Sequence, residues 1–332
     1  MSPSDARDLA ALPKAHLHLH LEAGMRPSTL ATLAEESEMT MPVVSGFGSF
    51  AAFADMYVGA CLVLRTEADL VRLIDEVVED AAQQGAVWIE PAFYQPRYRE
   101  RLGADEHIIE MVLDAMAAAS RRNGVGVGLM VAADRTADPA EAVAQAQLAA
   151  RYADAGVVAF GLANDEVGFP PEPFAEAYAI ARQAGLLATP HAGELAGPES
   201  VIGALDALGA DRIQHGIRAI EDPALVARLA DEGICLDVCP TSNLLLAVVP
   251  SLEEHPLPAL LAAGVRCSIN ADDPLLFGPD LLEEYELCRA QFGFDDTTMA
   301  AIATTSIEAS GANADHKAAG LAGVEAWLTA AP

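Results

Sequence analysis

The 332-residue chain carries 19 Lys plus Arg against 49 Asp plus Glu, a net charge of −30, and 52% of its residues are apolar. That acidity opposes nucleic-acid phosphates and anionic lipid as partners, and no run of 18 unbroken apolar residues offers a membrane span. Five scattered cysteines without CxxC pairs fit reduced core thiols rather than a zinc ribbon or disulfide scaffold, and the opening MSPSDARDLAALPKAH lacks the basic and apolar parts of a leader, so a cytoplasmic soluble protein is expected.

The first predicted strand, Ala15 to His20, places His16, His18 and His20 at alternate positions, where a strand turns all three imidazoles the same way. A stretch of about 65 residues follows, from Glu22 to Ala86, containing SGFGSFAAFADMYVGACLVL; extra helices are expected there, over the end of the strands. Further short apolar runs are Ala86 to Glu90, Val125 to Val131, Val157 to Leu162, Leu187 to His191, Arg212 to His215, Cys235 to Cys239 and Arg266 to Ala271. Amphipathic segments such as EADLVRLIDEVVEDAAQQG and HIIEMVLDAMAAASRRNG separate them, several closed by a Gly that suits a helix C-cap. Within GVGVGLM the alternating glycines lack the spacing of a dinucleotide fingerprint and read as a tightly packed third strand.

Eight strand–helix alternations without hairpin signals imply parallel βαβ units, and a (β/α)8 TIM barrel is the leading architecture, with a doubly wound sheet second. Residues 279 to 330 add the last barrel helix and C-terminal helices, and the whole chain, 1–332, reads as one domain.

A barrel gathers its strand ends on one face. The fifth strand ends TPHAGE, giving His191 and Glu194; the sixth ends IQHG, giving His215; the eighth ends SINADDP, giving Asp272 and Asp273. Imidazoles with one carboxylate and no thiolate suit a catalytic zinc that keeps an open position. His18, His20, His191 and Asp272 are the expected ligands, with His16 deeper and hydrogen-bonded within the barrel. Only Lys14 and Lys317 are lysines, and neither lies on a strand where it would bridge two ions, so one metal per chain is expected.

Taken together, PKAHLHLHLE, HAGE, QHG and NADDP, in this order, resemble the adenosine deaminase family of metal-dependent barrel aminohydrolases over about residues 10 to 320. The resemblance implies zinc on His18, His20, His191 and Asp272, with Glu194 protonating purine N1, His215 accepting a proton from water or orienting it, and Asp273 bonding the N7 side or the attacking oxygen. Adenosine or 2′-deoxyadenosine is the leading substrate, with adenine and a modified adenosine such as aminodeoxyfutalosine as alternatives. Substrate contacts are expected from His20, Glu22, Asn164, Asp273, Phe50 and Phe53, the last two joined by Tyr57 in an apolar lid. The chain departs from the family at His20-Leu21-Glu22-Ala23, where adenosine deaminases read His-Leu-Asp-Gly and the Asp takes the ribose 5′-hydroxyl, and at Asn164, where a glycine often brings backbone to N3. EVGFPP looks like bacterial adenine deaminases, whereas HAGELAGPESV looks like the adenosine enzymes.

Overall fold

A computed structural model describes residues 6–330; residues 1–5 and 331–332, at the two ends of the expected domain, lie outside the described residues. The chain forms strands β1 (Lys14–His20), β2 (Ala86–Phe93), β3 (Leu129–Asp134), β4 (Val157–Ala163), β5 (Leu187–Ala192), β6 (Arg212–His215), β7 (Cys235–Val238) and β8 (Arg266–Ile269). Each pairs in parallel with the next, giving the nearly closed eight-stranded barrel with surrounding helices of the (β/α)8 class. The strands read as continuous apolar runs because both faces are covered, by helices outside and by packed side chains inside.

Backbone pairing is thin at the seam between β8 and β1. A single bridge, Leu19 with Asp272, joins them, through His20 N–H to Asp272 O and Asp272 N–H to His18 O, both 3.1 Å. The Asn270 side chain closes the gap below by accepting Leu17 N–H at 2.7 Å and His18 N–H at 3.1 Å through Oδ1. The seam thereby fixes the positions of His18, His20 and Asp272 relative to one another.

The predicted third strand is broken by Gly128: the two-residue strand Gly126–Val127 pairs with β2 before β3 begins. A Cβ at Gly128 would lie 2.5 Å from Val158 and 2.8 Å from Trp88, so these glycines serve close packing. β7 and β8 also end earlier than their apolar runs suggest, because Cys239 and Asn270 to Asp272 already belong to the turns that enter the site.

The long first connection contains α1 (Pro27–Glu36), α2 (Phe50–Cys61) and α3 (Glu67–Gln83). Helix α3 starts on a capping box between Thr66 and Asp69 and buries Leu70, Leu73, Ile74, Val77, Val78 and Ala81, one stripe at helical spacing. Helix α2 packs Phe53 onto Ala23, Leu276 and Phe277, with Phe50 and Tyr57 alongside, and so lies across the C-terminal end of the barrel. Helices Leu281–Phe292, Asp296–Ala309 and Ala314–Thr329 complete the described residues. No described helix is long and apolar enough to cross a membrane.

Candidate active site

At the C-terminal ends of the strands, His20, His191, Glu194, His215, Asp272 and Asp273 line one cavity. Three residues at these ends, Asn164, His215 and Asp272, have positive φ (82°, 62° and 61°), rare for residues with a Cβ.

His18 and His191 present their Nε2 atoms to each other at 3.1 Å. Each ring is fixed from behind: His18 Nδ1 donates to Asp237 O at 3.1 Å and His191 Nδ1 donates to Leu162 O at 3.0 Å. Both Nε2 atoms are therefore left with lone pairs that point at each other, an arrangement that repels unless a cation lies between them. Asp272 Oδ1 lies 3.2 Å from His18 Nε2 and 3.4 Å from His20 Nε2, while Ser242 Oγ donates to Oδ2 at 2.7 Å. Separations of 3.1 to 3.4 Å match the edge of a tetrahedron whose ligands stand about 2.0–2.1 Å from a central ion. The residues present thus fit a divalent metal. Geometry groups His215 with His18, His191 and Asp272, and His20 with Asp272 and Asp273, so either His20 or His215 could supply the third imidazole.

Burial sets the charges of the surrounding groups. It lowers His191 far below the usual imidazole value and holds His215 at about 3, with the neighbouring histidines adding to the effect. Burial is the largest influence on His18 and opposes its charge, but Asp272 and Asp237 together raise that ring; burial likewise opposes charge on Asp272, but His18, His20 and His215 together hold its carboxyl well below the carboxylate range. Glu194 and Asp273 are pushed well above that range, by burial first and by the charge of Asp272 second.

His16 does not join the cluster. A register irregularity between His16 and Leu19 breaks the alternation expected for β1, and His16 faces a separate groove with Leu19, Met25 and Val77, its Nε2 accepting Ala271 N–H at 3.1 Å. Phe50, Phe53 and Tyr57 line the cavity, as does Asn164. Asn164 holds the left-handed backbone that a glycine would favour, and its Nδ2 donates to both Asp134 oxygens at 3.0 Å. Glu22 does not line the cavity: it is buried, and its carboxylate accepts the Tyr57 hydroxyl at 2.8 Å and the Tyr98 hydroxyl at 2.9 Å. The group expected at a sugar hydroxyl is thus bonded to two phenols.

Sequence reasoning missed Glu166 and Arg135. Glu166 accepts four consecutive backbone N–H groups, from Gly193, Glu194, Leu195 and Ala196, at 2.6 to 3.0 Å, and so shapes the turn that carries Glu194. Arg135 lies 4.0 Å from Glu166 and donates to His191 O at 2.8 Å. The signal for Glu166 was its place just past a strand end, in ANDEVG; nothing in the sequence marked Arg135.

Fold and site together define a metal-dependent barrel hydrolase of the kind that takes its ligands from strand ends. The family model described as adenosine deaminase matches residues 13–327, and the chain belongs to that family, as a deaminase acting on purines. A Streptomyces virginiae protein described as a "putative adenosine/adenine deaminase" is 44% identical, with 98% of this chain and 99% of the relative covered. An adenine deaminase of Chelativorans sp. is 38% identical over 90% of this chain and 93% of its own length. Among solved structures, adenine deaminase from Arthrobacter aurescens superposes with a TM-score of 0.90 at 34% identity, covering 96% of this chain and all of that one. An amidohydrolase from Burkholderia ambifaria with bound Zn gives 0.88 at 30% identity, over 96% and 91%.

Proposed function

We propose that the chain catalyses zinc-dependent hydrolytic deamination at C6 of a 6-aminopurine, with free adenine as the preferred substrate. His18, His20, His191 and Asp272 hold one zinc per chain, a metal favoured by the imidazole-rich, thiolate-free donor set. Bound there, zinc supplies the Lewis acidity that lets water ionise near neutral pH.

The protein's own groups do the rest. Ring atoms N1 and N7 of a purine are acceptors, so the groups that meet them must donate. Glu194, buried and held at a fixed turn by Glu166, carries the proton for N1. Asp273, whose Oδ1 is buried without a partner, donates on the N7 side. Water adds its oxygen to C6, N1 gains the proton, and the exocyclic nitrogen leaves as ammonia, so the products are a 6-oxopurine and NH3. Phe50, Phe53 and Tyr57 cover the planar ring and keep bulk water from it.

The observation that carries the choice of adenine is Glu22. The sequence alone put adenosine first, on the premise that this carboxylate meets the sugar; its two oxygens are instead engaged by Tyr57 and Tyr98, and several relatives are named adenine deaminases. Adenosine is the second reading, favoured by Asp134, Asn164 and Tyr94 in the cavity wall, polar groups that a sugar would engage. The test follows the ultraviolet change and ammonia release of the zinc-loaded chain on adenine, adenosine and 2′-deoxyadenosine. Adenine should lead in kcat/KM by about tenfold or more, equivalent to ~1.4 kcal/mol of transition-state binding. A nucleoside turned over faster than adenine would establish the second reading, and inertness on all three would overturn both.

A further inference from the structure

Behind His215 lies a line of buried side chains that the deamination chemistry above does not use. Asn243 Nδ2 stands 3.1 Å from His215 Nδ1, His255 Nε2 stands 3.2 Å from Asn243 Oδ1, and Leu257 N–H donates to His255 Nδ1 at 3.1 Å. All three side chains are buried: His215, Asn243 and His255 are 1%, 0% and 4% exposed. From the last of these contacts the hydrogen positions can be worked out in sequence. A backbone N–H can only donate, so His255 Nδ1 must offer its lone pair and His255 Nε2 must bear the hydrogen. The atom of Asn243 facing that hydrogen must then be its oxygen, and the atom facing His215 must be its NH2. His215 Nδ1 is therefore an acceptor, and its hydrogen sits on Nε2. Burial holds His255 at about 4, so it stays neutral and supplies one hydrogen, not two.

We infer that Asn243 and His255 are positioning residues that lock His215 in its Nε2–H tautomer, making it a hydrogen-bond donor to the attacking oxygen and removing it from the metal ligands. This rests on the deaminase reading of the site and deepens it. The geometric grouping leaves His20 and His215 as rivals for the third imidazole; an Nε2 that bears hydrogen has no lone pair for an ion, so the place falls to His20. The contrast within the site is consistent. His18 and His191 have their Nδ1 atoms against backbone carbonyls, which leaves Nε2 bare, whereas His215 has Nδ1 against an NH2 group, which leaves Nε2 protonated. That Nε2–H points toward Glu194 Oε1 at 3.5 Å and Asp272 Oδ2 at 3.6 Å, the gap where a water oxygen would be held between them. His215 thus orients the attacking water, and the alternative role of proton acceptor at Nε2 is closed to it.

The test uses the full-length, zinc-loaded chain labelled with 15N-histidine. Long-range proton–nitrogen correlations tell a protonated ring nitrogen from one with a free lone pair, and His215 is assigned by its loss in His215→Gln. The wild type should show His215 protonated at Nε2. In Asn243→Asp the carboxylate can only accept, so it still satisfies His255 but forces the hydrogen of His215 onto Nδ1. That variant should retain zinc and KM while kcat falls about 10²- to 10⁴-fold, the usual worth of one positioned proton-handling group. His255→Leu leaves the amide free to turn and should lower kcat about tenfold with KM held; His255→Gln, which restores a donor near the Nε2 position, should recover most of that loss. A wild-type His215 bare at Nε2 overturns the proposal outright. So does an equal loss in the Leu and Gln variants, which would mark His255 as packing alone. The ring spectra report the tautomer whether or not any purine is turned over, so failure of the relay and failure of the deaminase reading are told apart.

Discussion

Replacing Glu166 by Gln tests whether the turn carrying Glu194 is built by a side chain or by the barrel alone. The carboxylate accepts Gly193 N–H through Oε1 at 2.6 Å and Glu194, Leu195 and Ala196 N–H through Oε2 at 3.0, 2.7 and 2.9 Å. An amide has one acceptor atom. With its oxygen placed at the Oε2 position, three bonds survive as weaker neutral ones and Gly193 N–H faces an NH2 group. The lost charge-assisted bond costs about 1.5–3 kcal/mol, and the buried Arg135, 4.0 Å away, loses its counter-charge, which brings the total to about 3–5 kcal/mol. The turn should give way before the barrel does, shifting Glu194 by a fraction of an ångström or more. A misplacement of that size costs kcat about 10²-fold, while KM, set by the far walls of the cavity, stays near wild type. Steady-state kinetics on the zinc-loaded variant, with its metal content and melting temperature, provide the assay. Wild-type kcat together with an unchanged melting temperature would refute the reasoning and assign the turn to backbone geometry.

Asp272→Ala should lose zinc on dialysis and with it turnover, since the carboxylate holds one corner of the donor set; elemental analysis finding one tightly held zinc in that variant would contradict the ligand set. Glu194→Gln should keep zinc and bind purine, yet lose kcat by several orders of magnitude, because an amide delivers no proton to N1. Glu284, buried on helix Leu281–Phe292, is raised by burial from 4.5 to about 8. Its folded form therefore retains a proton that the unfolded chain gives up between those pH values, so stability falls as pH rises through that window, at most about 1.4 kcal/mol per unit. Glu284→Gln should remove that slope and be the more stable protein at pH 8; parallel denaturation curves for the two proteins from pH 5 to 8 would sink the assignment.

Much of the fold could be read from the sequence because a parallel barrel writes its strands as apolar runs and its helices as 3.6-residue stripes closed by glycine. What escaped were the places where tertiary contacts override local pattern. The break at Gly128 depends on Trp88 and Val158, which lie on either side of it in space but far from it in sequence. The irregularity of pairing with β2 between His16 and Leu19 was invisible to a strict period of two, although the place of His16 apart from the ligands, hydrogen-bonded within the barrel, was expected. The cluster of His18, His20, His191, Glu194, His215, Asp272 and Asp273 was legible because all lie at strand ends, which the barrel must bring together. The groups that hold them were not: Asn243 on the short helix Pro240–Leu245 and His255 beyond it lie in the connection after β7, Arg135 just after β3, and their importance comes from which hydrogen each one donates or accepts.

The backbone offers an independent reason for the site to be where it is. Asn164, His215 and Asp272 adopt positive φ at the ends of three strands, at roughly 1–3 kcal/mol each and less for Asn. Such a residue turns the chain sharply out of the strand while leaving its own side chain over the cavity. The strain persists only where neighbours hold the turn from both sides. Around Asp272 its N–H is taken by His18 O and its C=O by His20 N–H; beyond His215, Gly216 N–H is taken by Ala192 O, and Gly216, itself at φ 73°, has no room for a Cβ against Leu236. An all-parallel sheet supplies these holding partners at the same end of every strand. These three strained residues therefore stand among the reactive ones, because both need a neighbouring strand to fix them.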